Sequence, residues 1–85
     1  MSEQRIFIVE DDTKIASLLS DTLRKYHYHV ETAKDFDRIL EEFAAFDPHL
    51  ILLDINLPSY DGYYWCRQLR QQTTCPILFI SARSG

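Results

Sequence analysis

Three short apolar runs, residues 6–9, 50–53 and 77–80, each stop at oxygen-bearing side chains: Glu10 with Asp11 and Asp12, then Asp54, then Ser81. A run of this length bounded by turn formers reads as a strand buried on both faces, as in a parallel sheet covered by helices. The run into Asp54 is the clearest, because Pro58 and the pair Asp61-Gly62 follow within eight positions. In an open parallel α/β sheet the ligand crevice lies outside the carboxyl ends of the strands. Three such strand ends therefore converge on an acidic pocket.

The intervening segments carry helical and edge-strand patterns. Ile15, Leu18, Leu19, Thr22, Leu23 and Tyr26 mark one face of a helix, with Asp12 or Asp11 placed to cap it. Residues 29–33, with the branched Val30 and Thr32, suit a short strand at a sheet edge. Asp35 is placed to cap a second helix whose apolar face is Phe36, Ile39, Leu40 and Phe43, and Asp47-Pro48 stops it. A turn-rich loop over 56–62 opens a third helix running from about Gly62 to Gln72, with Trp65, Cys66 and Leu69 inward, and Pro76 introduces the fourth strand. Such alternation predicts right-handed βαβ units in a doubly wound parallel sheet. Only Ser81-Ala82-Arg83-Ser84-Gly85 follow the fourth strand, so the chain reads as a fragment with an apolar edge open to pairing.

Eighty-five residues suit one small domain, and 46% hydrophobic with 26% charged residues and a net charge of -4 is an ordinary globular composition, without a basic surface for nucleic acid. No apolar run approaches the roughly 20 residues that span a bilayer, and the polar start of the chain makes a cytosolic location the default. Cys66 and Cys75 are too far apart for a zinc knuckle or a C-x-x-C redox pair, and His27, His29 and His49 have no metal-ligand spacing with them. All five read as structural or solvated side chains.

Glu10, Asp11 and Asp54 held close together would repel, and a divalent cation among them removes most of that penalty. Ligation by oxygen alone favours a hard ion, with magnesium the obvious candidate because it binds one or two carboxylates, keeps waters and bridges to phosphate oxygens. A carboxylate can also attack phosphorus to give an acyl phosphate, and Ser81 would offer its hydroxyl to a phosphoryl oxygen. Each residue has a structural alternative: Asp11 and Asp12 as helix caps, Asp54 as a turn former, Ser81 as the cap of a following helix. Independent cap and turn demands do not, however, require acids after the first and third strands and a hydroxyl after the fourth. A phosphohydrolase with an aspartate nucleophile would need a second acid two residues later, where Asn56 stands. A flavin site is disfavoured by the acidic first loop.

The segments Ile8-Val9-Glu10-Asp11-Asp12, Leu52-Leu53-Asp54-Ile55-Asn56-Leu57-Pro58, Asp61-Gly62 and Ile80-Ser81-Ala82-Arg83 resemble the receiver domain of bacterial two-component response regulators. The Glu-Asp-Asp form and the Leu-Pro and Asp-Gly spacing are most similar to the OmpR/PhoB winged-helix class. More narrowly, residues 60–67 and 76–83 resemble the branch that responds to bacitracin and cationic antimicrobial peptides. The resemblance implies a flavodoxin-like (CheY-like) sheet of order 2-1-3-4, with the fifth strand and last helices missing.

By position, it implies that Asp54 is the phosphoacceptor for a partner sensor histidine kinase, in a signalling domain rather than a turnover enzyme. Asp11 would bind magnesium directly, Glu10 through water, and Asn56 through its backbone carbonyl; Ser81 matches the switch hydroxyl that follows the phosphoryl group. A complete receiver runs to about 120 residues, so the fifth strand with its phosphate-pairing lysine and the dimer face would lie outside this chain. Lys14 and Lys34 fall near helix starts and do not substitute for that lysine. DNA would be reached only through a C-terminal domain absent here. The competing expectation is an interaction module acting without phosphorylation, in which the fourth strand pairs with a second copy as a homodimer or domain-swapped oligomer.

Overall fold

The computed structural model describes residues 4–81. Its elements are β1 (Arg5–Val9), α1 (Thr13–Lys25), β2 (His29–Thr32), α2 (Ile39–Phe46), β3 (Leu50–Asp54), α3 (Gly62–Arg70) and β4 (Ile77–Ile80). The strands form one parallel sheet in the order β2-β1-β3-β4, the order of a CheY-like receiver. β1 and β3 take the centre because they are apolar on both faces. Phe7, Val9, Ile51 and Leu53 face a core with Ile39, Phe43, Trp65 and Leu69 of α2 and α3. Ile6, Ile8 and Leu52 face the other side with Val30, packed by Leu19 and Leu23 of α1.

β4 differs from the expectation of burial on both faces. It pairs with β3 alone among the described residues, and Leu78 and Phe79 are 55% and 40% exposed. An edge strand has a neighbour on one side only, so apolar composition does not by itself bury it.

Helix α1 also differs in detail. Its buried residues are Ala16 and Ser20, flanked by Leu19 and Leu23, whereas Leu18 and Tyr26, expected inward, are 68% and 70% exposed. The apolar residues occupy two adjacent stripes, and the stripe with small side chains at its centre is the one that approaches the sheet. Asp12 caps this helix, accepting from the backbone N–H groups of Lys14 and Ile15 at 3.0 and 3.3 Å.

Asp35 does not cap α2, which starts a turn later than the sequence pattern indicates. The Glu42 carboxylate reaches back to the N–H groups of Lys34 and Asp35 at 2.9 and 2.8 Å, while the Asp35 side chain accepts from Asp37 N–H. The 35–38 segment is thereby held as a turn, with Phe36 packed on the core ahead of the helix. Asp61 caps α3 through Tyr64 N–H at 2.9 Å, and Trp65 and Leu69 are its buried anchors as expected.

Candidate metal centre

The parallel arrangement sets the ends of β1 and β3 side by side, Val9 opposite Leu53 in the ladder. Glu10 follows the first of these and Asp54 ends the second, so the topology delivers both carboxylates to one rim. One carboxylate oxygen from each of Glu10, Asp11 and Asp54 lies within 4.8 Å of the others. Glu10 and Asp54 are 4% and 3% exposed. The choice between Asp11 and Asp12 as the helix cap is resolved in favour of Asp12, and this leaves Asp11 to the cluster.

Backbone N–H groups orient two of the three acids. Asp12 N–H donates to Glu10 Oε1 at 3.0 Å, and Asn56 N–H donates to Asp54 Oδ1 at 3.1 Å. Glu10 Oε2 and Asp11 Oδ1, by contrast, are buried without a hydrogen-bond donor. Burial pushes the Glu10 carboxyl up to about 7, opposed by the Asp12 N–H and reinforced by the neighbouring Asp54 and Asp11 carboxylates. Orphaned buried acceptors in a cluster of acids are costly unless a positive charge joins them. The donor set is oxygen alone, which fits a hard cation and not a thiophilic or imidazole-seeking metal. A cleft of about 440 Å³ between α1 and the β2–α2 connection is bordered by Glu10, Asp11 and Lys34, and Asp54 is not among its lining residues.

Two further expected site residues lie at the same end of the sheet. Asn56 is exposed and joined to Asp54 through its backbone N–H. Ser81, also exposed, follows Ile80, the Cα partner of Asp54 in the β3–β4 ladder. Ala82 and Arg83 lie outside the described residues. Sequence reasoning took Gly62 for a turn former and missed its packing role. Its N–H donates to Ile55 O at 2.8 Å, and a Cβ on it would stand 2.3 Å from the carbonyl oxygen of Asp54.

The response regulator receiver domain family matches residues 6–85. The chain belongs to this family. The transcriptional regulatory protein YxdJ of Bacillus subtilis (strain 168) is 57% identical over 81 residues, 95% of this chain and 35% of that protein. This receiver chain therefore spans about a third of that relative's length. The N-terminal domain of NsrR, a lantibiotic response regulator for nisin resistance, is 45% identical and superposes with a TM-score of 0.88, covering 99% of this chain and 71% of that one. The BeF3-activated receiver domain of Klebsiella pneumoniae RstA is 36% identical, also with a TM-score of 0.88, over 96% of this chain and 70% of that one. The receiver thus stands close to regulators of antimicrobial-peptide responses, the narrower resemblance in its sequence. No helix among its described residues is long and apolar enough to cross a membrane.

Proposed function

We propose that this receiver accepts a phosphoryl group on Asp54 from a sensor histidine kinase, with magnesium held by the carboxylate cluster, and that the longer protein uses the change to regulate transcription in the cytoplasm. The observation that carries the reading is the gathering of Glu10, Asp11 and Asp54, with Glu10 Oε2 and Asp11 Oδ1 buried and lacking donors. Glu10, Asp11, Asp54 and the backbone carbonyl of Asn56 would hold the ion. Magnesium supplies charge neutralisation for the phosphoryl oxygens, where positioning and electrostatics provide nearly all of the catalysis.

Asp54 is the nucleophile. A carboxylate oxygen forms the new P–O bond as the donor's P–N bond breaks, and the electron pair returns to the imidazole nitrogen, which takes up a proton. The Asn56 N–H on Oδ1 restrains rotation of the attacking carboxylate. Ser81 donates its hydroxyl to a phosphoryl oxygen and follows that group when the domain switches. Water later attacks phosphorus, releasing phosphate and regenerating the carboxylate. The chemistry is modification of one side chain, not turnover of a metabolite.

Incubation with acetyl phosphate and magnesium, followed by a phosphate-affinity gel, tests this reading. A retarded band that Asp54→Ala abolishes is expected; identical mobility of treated and untreated wild-type chain would contradict it. A second reading is favoured by one observation, the exposure of Leu78 and Phe79 on the edge strand β4. In that reading β4 pairs with a second copy independently of phosphorylation.

A further inference from the structure

We propose that Gly62 is a positioning residue for the carboxylate cluster. With no Cβ at this point, the start of α3 rests on the backbone of Asp54 and fixes where that carboxylate stands relative to Glu10 and Asp11. The inference rests on the reading of Asp54 and its neighbours as a cation and phosphoryl site.

A Cβ at Gly62 would stand 2.3 Å from the Asp54 carbonyl oxygen, 2.9 Å from the Ile55 Cα and 3.0 Å from the Asp54 carbonyl carbon. All three are backbone atoms, so no side chain can turn aside to relieve the contact. Gly62 has no left-handed φ, so other residues could adopt its backbone conformation and space alone excludes them. Its N–H is bonded to Ile55 O at 2.8 Å, which ties α3 to the segment that a larger residue would push away. Restoring ordinary contact requires the two backbones to part by about 1 Å.

Which side yields follows from the anchoring of each. Helix α3 is fixed against the sheet by Trp65, 8% exposed, and Leu69, 0% exposed, both packed in the core with β1 and β3. The other backbone is at the end of β3, where Asp54 pairs only with Ile80 of the edge strand. Apart from the Gly62 N–H bond that comes from α3 itself, Ile55 is held by one backbone bond, its N–H to Ile80 O at 3.1 Å. Asp54 and Ile55 therefore move, and the carboxylate moves with them. A displacement of about 1 Å at a reacting group costs on the order of 100-fold in rate, and a cation seat is similarly sensitive.

The test compares Gly62→Ala with Asp61→Ala, which removes the α3 cap without adding bulk beside Asp54. Magnesium chloride alone is titrated by calorimetry, phosphorylation by acetyl phosphate is timed, and folding is followed by thermal melting. Gly62→Ala is expected to bind magnesium at least about tenfold more weakly and to be phosphorylated roughly 100-fold more slowly. Asp61→Ala should melt earlier yet keep wild-type magnesium affinity. Folded Gly62→Ala with wild-type affinity and rate would overturn the proposal, because α3 would then be the side that yields. If Gly62→Ala does not fold in buffer, the comparison is repeated in trimethylamine N-oxide, which favours compact states. Wild-type affinity there, or failure to fold even there, would also overturn it, leaving a folding role alone. A wild-type chain that binds no magnesium refutes the site reading itself, an outcome separate from any behaviour of Gly62→Ala.

Discussion

Raising the pH of the magnesium-free chain from 4.5 to 8 should destabilise it, and Glu10 is the reason. Burial, reinforced by Asp54 and Asp11, lifts its carboxyl from the usual 4.5 to about 7 in the folded chain. Between those values the folded state holds a proton that the unfolded chain has released. The contribution is fully present below 4.5 and is lost as pH rises through 7. At about 1.4 kcal/mol per pH unit the loss is about 3 kcal/mol, a large share of the 5–15 kcal/mol typical of a domain. Saturating magnesium should abolish the loss, since the cation stabilises the ionised cluster. Glu10→Gln keeps the shape without the charge, so it should flatten the pH dependence, raise metal-free stability at pH 8 and gain less from magnesium. Urea unfolding at pH 5, 6, 7 and 8, with and without magnesium, read by the emission of buried Trp65, measures all of these. A wild-type midpoint unchanged across that range, or an identical slope in Glu10→Gln, would refute the packing of acids on which the reasoning rests.

Replacing Asp12 with Ala should cost about 1 kcal/mol by removing the α1 cap, lowering the melting temperature by roughly 4–8 °C, while Asp12→Asn, which can still cap, should melt near wild type. If the exposed edge of β4 drives self-association, Leu78→Lys and Phe79→Lys should each shift the chain toward monomer in sedimentation velocity; a wild-type chain monomeric at all concentrations would dismiss that second reading.

The strand ends were legible because burial of a parallel sheet leaves a direct mark: apolar runs on β1 and β3, and polar residues where they emerge. Sheet order and the meeting of Glu10, Asp11 and Asp54 follow from that pattern together with the family resemblance. Side-chain detail was less legible wherever two local choices had similar propensity. Asp11 and Asp12 are equivalent cap residues by type, and only the backbone geometry at Asp12 separates the cap from the cluster. The face of α1 was misjudged because Leu18 and Leu19 belong to adjacent stripes, and the small Ala16 and Ser20 decide which stripe meets the sheet. Asp35 lost its cap role to an interaction that sequence spacing does not express, the return of Glu42 to the backbone of Lys34 and Asp35. Gly62 is the clearest omission. An Asp-Gly pair signals a turn locally, while the constraint on this glycine comes from the Asp54 carbonyl oxygen, eight positions away in the chain.

Manganese, a hard divalent ion with a strong anomalous signal, tests the central claim most directly when soaked into crystals of the chain in place of magnesium. A single dominant anomalous peak between the Asp11 and Asp54 carboxylates, with Glu10 at its edge, is the expected result. Crystals with no peak at that rim, or with Asp11 and Asp54 too far apart to share one ion, would contradict the gathering of carboxylates from which the functional reading is built.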